Sequence, residues 1–258
     1  MTPEDTLQRT QWDFFWVPED VVVIDRPELL YVHGPYPLPH LNMVTRLDAT
    51  SENLEDLLDE VQAAHADRPS CFQVLHRPEY RRLERALSRR GYTETHRHEA
   101  LVLRVSDWDR PFPADLDVHR VLVRGQMLDW HRVAHAAFDT DSVISDARIA
   151  RDLAQCTGEG ARVHRFVACD AETGRPLAAA GMTAFSDLGF GFLWAGGTVP
   201  DGRLKGAYTS VLTARIRCAQ QLGLSAVGVY GLLDTSAPIL RRLGFVRHGG
   251  MSFWSRPP

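Results

Sequence analysis

The stretch GRLKGAYTSVLTARIRCAQQLG, residues 202–223, decides the fold of this chain. It places a turn with glycines and two basic side chains directly before a long amphipathic run. Small and apolar residues recur in that run at helical intervals, at Ala207, Val211, Ala214, Cys218 and Leu222. The spacing predicts a helix from about Gly206 to Leu222, with Gly223 as its natural stop.

The turn before this helix has two interpretations. Free backbone N–H groups at a helix start, together with the positive end of the helix dipole, favour a bound phosphate. A glycine there lets the phosphate approach without meeting a side chain. A surface loop that enters an ordinary core helix can carry the same glycine and lysine, however. The residues of the turn alone leave both interpretations open.

Composition restricts the class of protein. A chain of 258 residues that is 44% hydrophobic is globular and has room for one large or two small domains. Its net charge of -4 gives no reason to expect a nucleic-acid or membrane-surface partner. No apolar run approaches the roughly 20 residues of a membrane span, and the amino terminus lacks the order of a secretory signal. The 4 scattered cysteines predict reduced, buried thiols in a cytoplasmic protein.

The order of the elements predicts a mixed α/β fold. In the first half, DVVVID and ELLYVH form a hairpin, followed by helix, strand, helix and a closing strand. The segment HRH, residues 96–98, is expected in a hairpin turn. In the second half, a strand and two helices precede a hairpin around AETGR, and a glycine-rich strand, GFGFLWAGGTV, leads to the helix described above. A strand, a short helix and a last strand end the chain.

The two halves share a design. PEYRRLERALSRRGYTETHRHEALVL and SAPILRRLGFVRHGGMSFW both contain a helix with paired arginines near its end, a glycine–aromatic pair and an apolar strand. This similarity predicts a duplicated fold. The proline- and aspartate-rich segment SDWDRPFPAD separates the halves. We therefore expect one domain over residues 1–105 and a second over residues 106–258.

Two motifs carry a resemblance to a known family. TVPDGRLKGAYTSVL, residues 198–212, resembles the acetyl-CoA-binding signature of the GNAT N-acetyltransferase superfamily, [RQ]-x-x-G-x-[GA] opening a helix after a strand. Arg203 and Gly206 match it. DTSAPILRRLGF, residues 234–245, resembles a later motif of the family, and the corresponding places are held by Asp234, Ala237, Gly244 and Phe245. The resemblance covers about residues 115–255.

The resemblance implies two acyl-CoA N-acyltransferase domains in tandem, each with a mixed, mostly antiparallel sheet flanked by helices. It implies acetyl-CoA as cosubstrate, without a metal. The residues expected to bind it are Gly197, Thr198, Val199, Arg203, Leu204, Lys205, Gly206, Ala207, Tyr208, Thr209, Asp234 and Ala237. Residues 1–105 are expected to be a degenerate copy without the cofactor motif; an unrelated α/β cap is the alternative.

The sequence departs from the family pattern at two places that bear on catalysis. Tyr208 stands where the signature has a small residue, and Leu240 where many members carry a tyrosine thought to protonate the leaving thiolate. Tyr230 is the substitute acid that we predict, against a tyrosine anchored in the core by its hydroxyl. The cofactor strand holds no carboxylate, so a base would act through water from Asp139, Asp141 or Asp187.

The function implied by the resemblance is transfer of an acetyl group from acetyl-CoA to a primary amine by direct attack in a ternary complex. The acceptor is expected to be a small molecule or a peptide, and the protein a monomer or homodimer without nucleic-acid or membrane partners. The alternative is a CoA-binding sensor or assembly protein without turnover. His131 and His135 have a spacing that could bind a metal, but the sequence offers no third ligand, so no metal site is predicted.

Overall fold

The computed structural model describes residues 1–140 and 144–258. The helices of this part of the chain are α1 (Pro3–Arg9), α2 (Leu54–His65), α3 (Arg81–Arg89), α4 (Arg124–Phe138), α5 (Asp146–Thr157), α6 (Ala207–Gln221) and α7 (Ser236–Arg242). The strands are β1 (Val22–Arg26), β2 (Leu29–His33), β3 (Met43–Leu47), β4 (Ser70–Leu75), β5 (Thr93–Arg104), β6 (Leu116–Arg120), β7 (Val163–Asp170), β8 (Pro176–Phe185), β9 (Phe190–Thr198), β10 (Ala226–Leu232) and β11 (Val246–Arg256). The predicted mixed α/β fold is confirmed.

The chain divides into two compact units. The first unit comprises Met1–Val102 and Tyr230–Pro258, and the second comprises Leu103–Val229. The first division lies close to the predicted boundary at residue 105. The carboxyl-terminal segment from Tyr230 onward, however, groups with the first half of the chain. The assignment of residues 1–105 and 106–258 to two domains stays a prediction.

In the first unit the strands follow the order β1-β2-β3-β4-β11-β5. β11 therefore lies between two strands that come more than 140 residues before it in the chain, with Trp254 opposite Phe72 on β4 and Glu94 on β5. β3 and β4 are parallel and α2 connects them, whereas the other neighbours are antiparallel. The side chains of α2, α3 and the strands form one core around Leu54, Phe72 and Leu83.

In the second unit the strands follow the order β10-β9-β8-β7-β6. β9 and β10 are parallel and are joined through α6, while β6 to β9 are antiparallel. Contacts of α4 and α6 with β8 and β9 cover this sheet, and Trp130 on α4 donates its indole N–H to the Ala180 carbonyl oxygen at 3.0 Å. Both units thus contain an antiparallel run that ends in a parallel strand–helix–strand crossover, which agrees with the duplication inferred from the sequence.

The opening stretch folds as its pattern predicts. Gly206, with a φ of 79°, precedes the first helical residue, and Gly223, with a φ of 71°, follows the last turn. Both angles lie in the left-handed region that glycine adopts without steric cost. Val211, Leu212 and Ile216 are each 0% exposed, so burial of the apolar face supplies most of the stability of α6.

One local prediction was wrong. The segment 96–98 lies within the long strand β5, not in a hairpin turn. His96 pairs with Phe253 and His98 with Met251 on β11. Pairing with a strand from the far end of the chain overrides the polar local composition, because an extended backbone satisfies its N–H and C=O groups through that partner.

Among the described residues, no helix has both the length and the apolar character needed to cross a membrane. All 4 cysteines of the sequence are free and buried, as expected from their spacing.

Candidate functional site

The candidate cofactor site of the second unit begins with the turn between β9 and α6. Pro200–Gly202 form a short 3₁₀ turn, closed by the Gly202 N–H bond to the Val199 carbonyl oxygen at 3.0 Å. Leu204 then has a φ of 63° and is fully exposed, and Gly206 also has a positive φ. A left-handed conformation is costly for a leucine, and such strain is concentrated at functional sites.

The first turn of α6 is open to an anion. No side chain caps this helix start, and no acidic residue lies in the first turn. Arg203 and Lys205 are exposed beside it, and Asp201, the acid nearest in sequence, is paired with Arg175 at 2.5 Å. Uncapped N–H groups, the helix dipole and two exposed cations in one turn are the features that bind phosphate.

The neighbours of Gly206 show why a larger residue does not fit at this position. A Cβ on this residue would lie 3.3 Å from Pro113 Cγ and 4.0 Å from Leu116 Cδ1. A side chain would therefore meet the protein interior. Glycine is favoured at this position because the backbone is left-handed and because a side chain would contact Pro113. The conformation of Gly206 in turn orients the first N–H groups of α6.

The strand before the turn is interrupted by a β-bulge. Trp194 pairs with Gly181 and Gly197 with Ala179, so Ala195 and Gly196 together lie opposite the single residue between those partners on β8. Ala195 has a φ of 46°. Bulges redirect backbone groups and are frequent beside active sites. Phe192 is the last residue of β9 that pairs with β10, opposite Gly228, and β9 continues beyond it for six residues, 193–198.

The expected strand residues Gly197, Thr198 and Val199 have different surroundings. A Cβ on Gly197 would lie 2.7 Å from the Cβ of Ala137 on α4, so this position must remain glycine. The Thr198 hydroxyl is buried and has no hydrogen-bond partner among the described residues. Val199 donates its N–H to the Leu177 carbonyl oxygen at 2.9 Å, which anchors the end of the strand. This orphaned hydroxyl lies directly before the turn and leaves a buried polar group there for a ligand to satisfy.

Tyr208 packs inside the second unit. A Cβ on Gly196 would meet Tyr208 Cε2 at 3.2 Å and Arg215 Nη2 at 3.3 Å. Burial raises the pKa of Tyr208, and Arg215, to which the phenol is hydrogen-bonded, lowers it by a smaller amount. The ring therefore fills the space between α6 and the bulge of β9, a role that its place in the signature did not indicate.

Arg215 is a buried cation on α6, whereas its helical spacing predicts a place off the apolar face; that prediction was wrong. The residue is 2% exposed, and burial lowers its pKa. Its Nε donates to the Val211 carbonyl oxygen at 3.2 Å and its Nη1 to the Gly181 carbonyl oxygen at 3.3 Å. No carboxylate pairs with it within residues 1–140 and 144–258. The one sign of its burial in the sequence is that both of its neighbours, Ala214 and Ile216, are apolar.

The residues of the later motif belong to the first unit. Ala237 is 0% exposed on α7, and its backbone nitrogen lies 3.3 Å from the Cβ position of Gly231. Asp234 is exposed just before α7. Leu240 is 1% exposed and packs in the core, so this position supplies no acid.

Tyr230, the predicted acid, also lies in the first unit. Its hydroxyl is buried without a hydrogen-bond partner among the described residues. Burial raises the pKa of Tyr230, and Glu4 is the largest of the charged groups that act on it, in the same direction. The hydroxyl is a very weak acid and remains protonated at neutral pH. Its role as proton donor stays a prediction.

The carboxylates considered as bases are dispersed. Asp139 ends α4 with a φ of 52° and is exposed, and Asp187 is exposed on the loop before β9. Asp141 lies outside the described residues. His131, considered as a metal ligand, has its Nε2 3.0 Å from Asp152 Oδ2 on α5, and the described chain contains no group of three potential metal ligands.

Comparison with known proteins supports the fold. No protein-family model matches the chain, and no curated protein matches its sequence. Among solved structures, a GCN5-related N-acetyltransferase from Kribbella flavida is similar with a TM-score of 0.73 and 17% identity, covering 100% of this chain and 96% of that chain. A GCN5-related N-acetyltransferase from Sphaerobacter thermophilus has a TM-score of 0.64 and 14% identity, covering 99% and 93%.

A third similar structure is a tandem GNAT protein from the clavulanic acid biosynthesis pathway. Its TM-score is 0.64 at 12% identity, and the match covers 97% of this chain and 87% of that chain. The chain therefore has the fold of the GCN5-related N-acetyltransferases, tandem proteins included. The fold that the two sequence motifs implied is confirmed.

Proposed function

We propose that this protein is an N-acetyltransferase that transfers acetyl from acetyl-CoA to a primary amine by direct attack in a ternary complex. The observation that carries the proposal is the basic turn of the second unit, in which Gly206 holds a left-handed backbone and opens the uncapped start of α6. The fold shared with GCN5-related N-acetyltransferases supports the same conclusion.

The turn and the strand before it would contact different parts of acetyl-CoA. The backbone N–H groups of residues 204–209 would hold the pyrophosphate, with Arg203 and Lys205 adding exposed positive charge. The backbone groups of the bulged strand β9 would hydrogen-bond the pantetheine arm. The Thr198 hydroxyl would bond a polar atom of the same arm. Bound acetyl-CoA supplies an activated acyl carbonyl. The protein holds this carbonyl in place for a neutral amine.

Calorimetry with acetyl-CoA and with CoA tests the proposal. Binding of both in the micromolar range is expected, since phosphate recognition does not depend on the acetyl group. If neither binds at millimolar concentration, the proposal is wrong. A panel of amines, aminoglycosides, amino acids and peptide amino termini, screened for loss of the thioester, would then identify the acceptor.

A second function is supported by the surroundings of Leu240 and Tyr230. Leu240 is buried and apolar at the position where the family pattern has an acid. The hydroxyl of Tyr230 is buried, and burial raises its pKa. These features fit a CoA-binding sensor or assembly protein without turnover. Tight CoA binding combined with thioester loss no faster than in buffer, across the whole amine panel, would favour this function over acetyl transfer.

The organisation and location of the protein form part of the same proposal. Residues 1–105 would be a degenerate copy of the domain formed by residues 106–258, and the chain would act in the cytoplasm as a monomer or homodimer. The 4 free, buried cysteines support a reducing compartment. Size-exclusion chromatography with light scattering would determine the oligomeric state.

A further inference from the structure

Arg215 of α6 is a buried positive charge whose partners in the described chain are all neutral. The residue is 2% exposed. Its side chain donates to the Val211 and Gly181 carbonyl oxygens, at 3.2 and 3.3 Å, and is hydrogen-bonded to the phenol of Tyr208. A buried cation is costly unless an anion compensates it, and arginine cannot escape the cost by losing its proton. The surroundings thus supply dipoles but no opposite charge.

The guanidinium lies against the bulge of β9. A Cβ on Gly196 would lie 3.3 Å from Arg215 Nη2 and 3.7 Å from Nη1, so both terminal nitrogens face the backbone of the bulge. Gly196 belongs to the segment 193–198, the part of β9 that does not pair with β10. A cofactor arm that ran from the turn at residues 199–206 back along this segment would reach the bulge. The buried charge is therefore fixed beside the part of the second unit that we propose for the pantetheine arm.

The titratable groups near Arg215 are neutral or positive at pH 7. On α6, burial raises the pKa of Tyr208 and of Cys218, so both stay protonated. His164 on β7 lies on the side of α6, because its neighbour Val163 belongs to the core on the opposite face. Burial lowers the pKa of His164 to about 4, and Arg120 on β6 lowers it further, so this ring is neutral. β8 and β9 contain no ionisable side chain.

The carboxylates on the elements that contact α6 have other partners or face elsewhere. Asp170, at the end of β7, accepts the N–H and the hydroxyl of Thr173 at 2.9 and 2.8 Å. Asp107, in the short turn that contacts α6, is paired with the arginine three residues before it at 3.0 Å. Asp117 on β6 is opposite Cys169, on the other face of the sheet. The charge of Arg215 is left for an anion that the chain itself does not provide.

Acetyl transfer creates an anion of this kind. As a thioester is cleaved, negative charge develops on the departing sulfur, and a fixed positive charge in a buried site stabilises it strongly. The alternative, protonation of the sulfur by a side chain, has weak support here. Leu240 is apolar, and burial raises the pKa of Tyr230.

We propose that Arg215 is a fixed positive charge that stabilises the thiolate of CoA at the bulge of β9, so that the sulfur leaves without an acid. The proposal rests on the proposed acetyl transfer. The neutral amine would attack the acyl carbon, and the N–C bond would form as the C–S bond breaks. The sulfur would leave with the bonding electron pair as a thiolate, and the proton lost by the amine nitrogen would go to solvent. Arg215 keeps its proton throughout.

Nuclear magnetic resonance of CoA labelled with ¹³C at the carbon next to sulfur tests the proposal without turnover. The pKa of the thiol is measured in free CoA, where an ordinary thiol has a value near 8.5, and in CoA bound to the protein. We expect the bound value to be lower by about one unit or more. CoA should consequently bind about tenfold more tightly at pH 10 than at pH 7, relative to desulfo-CoA, which lacks the thiol. A bound thiol whose pKa equals or exceeds that of free CoA would overturn the proposal.

Variants of Arg215 separate its charge from its role in packing. Arg215→Met removes the charge from a side chain of comparable length and should return the pKa of the bound thiol to the free value. Arg215→Lys should keep most of the lowering. Arg217→Met, a change of an exposed arginine on the same helix, is the matched control and should leave the pKa of the bound thiol unchanged. A purely structural arginine would alter the urea midpoint in Arg215→Met but not the thiol pKa, and that result would overturn the proposal.

Two further outcomes are distinguishable. If Arg215→Met does not fold, the titration of the wild-type protein and of Arg215→Lys decides, since a thiol pKa that is not lowered in either overturns the role of Arg215. If neither CoA nor desulfo-CoA binds at millimolar concentration, the proposed function is wrong, and the role of Arg215 is wrong with it. Binding of CoA with an unshifted thiol pKa would contradict the role of Arg215 alone.

Discussion

The ring of Tyr208 lies against Gly196, close enough that a Cβ on the glycine would meet Tyr208 Cε2 at 3.2 Å. Tyr208 belongs to the first turn of α6 and Gly196 to the bulge of β9. The contact therefore joins α6 to β9, the strand that precedes the turn at residues 199–206. Arg215, hydrogen-bonded to the phenol, completes this contact from inside the second unit.

Tyr208→Phe should lower stability without lowering CoA affinity. The change removes the hydroxyl partner of a buried guanidinium, which costs roughly 1–3 kcal/mol. Urea unfolding would measure the free energy, and calorimetry of the folded variant should give a dissociation constant for CoA within about threefold of the wild type. Weaker binding at unchanged stability would mean that the phenol contacts the cofactor.

Gly206→Val should weaken CoA binding severely. A valine resists a φ of 79°, and its side chain would meet Pro113, so the turn would shift and the N–H groups of α6 would no longer converge on a phosphate. Gly223→Ala is the matched control. It has a φ of 71° at the other end of α6 and no atom within 4 Å of its Cβ position, so it should lose about 1 kcal/mol of stability and keep its CoA affinity. Full CoA affinity in folded Gly206→Val would exclude a phosphate site at this turn.

Lys205→Ala should have a small effect. The side chain is exposed, and exposed charge interactions are worth about 1 kcal/mol or less. The loss should shrink further as salt is raised from 50 to about 500 mM, because the Debye length falls. Calorimetry at the two salt concentrations measures both effects. A loss that persists at high salt would indicate a direct, desolvated contact of Lys205 with the phosphate.

The first unit should lose stability in mild acid. Burial lowers the pKa of His65 to about 4, and its ring is held by Ser70 and by the Val32 carbonyl oxygen. The unfolded chain, with a histidine pKa near 6.5, then binds more protons than the folded one as the pH falls from about 6.5 to 4. Over this range the free energy of unfolding should fall by about 3 kcal/mol from His65 and then level off. Urea unfolding at pH 7.5, 5.5 and 4 measures it; a smaller slope is expected in His65→Gln.

Each chain should bind one CoA. In the first unit, the residues between β3 and α2 are DATSEN, and the first turn of α2 contains Glu55 and Asp56. Negative side chains at a helix start repel a phosphate, whereas the equivalent turn before α6 carries Arg203 and Lys205. Calorimetric titration should give a stoichiometry of one. A value of two would show that the first unit binds the cofactor despite its acidic turn.

Much of the fold was determined by the sequence alone. The apolar spacing and the glycines at both ends of α6 specify that helix, because burial of one face and left-handed caps depend on neighbouring residues. The same holds for the β1–β2 hairpin and for the order of elements in both halves. The turn for which we propose phosphate binding could also be singled out, since its N–H groups, glycines and charges all lie within residues 202–209; phosphate binding there stays a prediction.

Only the tertiary structure decided which distant segments meet. β11 lies between β4 and β5, and this pairing placed the segment 96–98 in a strand. It also brought Ser252 on β11 within hydrogen-bond distance of His76 and Glu94, although 176 residues separate His76 from Ser252 along the chain. Likewise, nothing near Tyr208 in sequence revealed that its ring packs on Gly196 and contacts Arg215. Strand pairing uses backbone groups that every residue carries, and side-chain contacts across elements depend on register and crossing geometry; local periodicity determines neither.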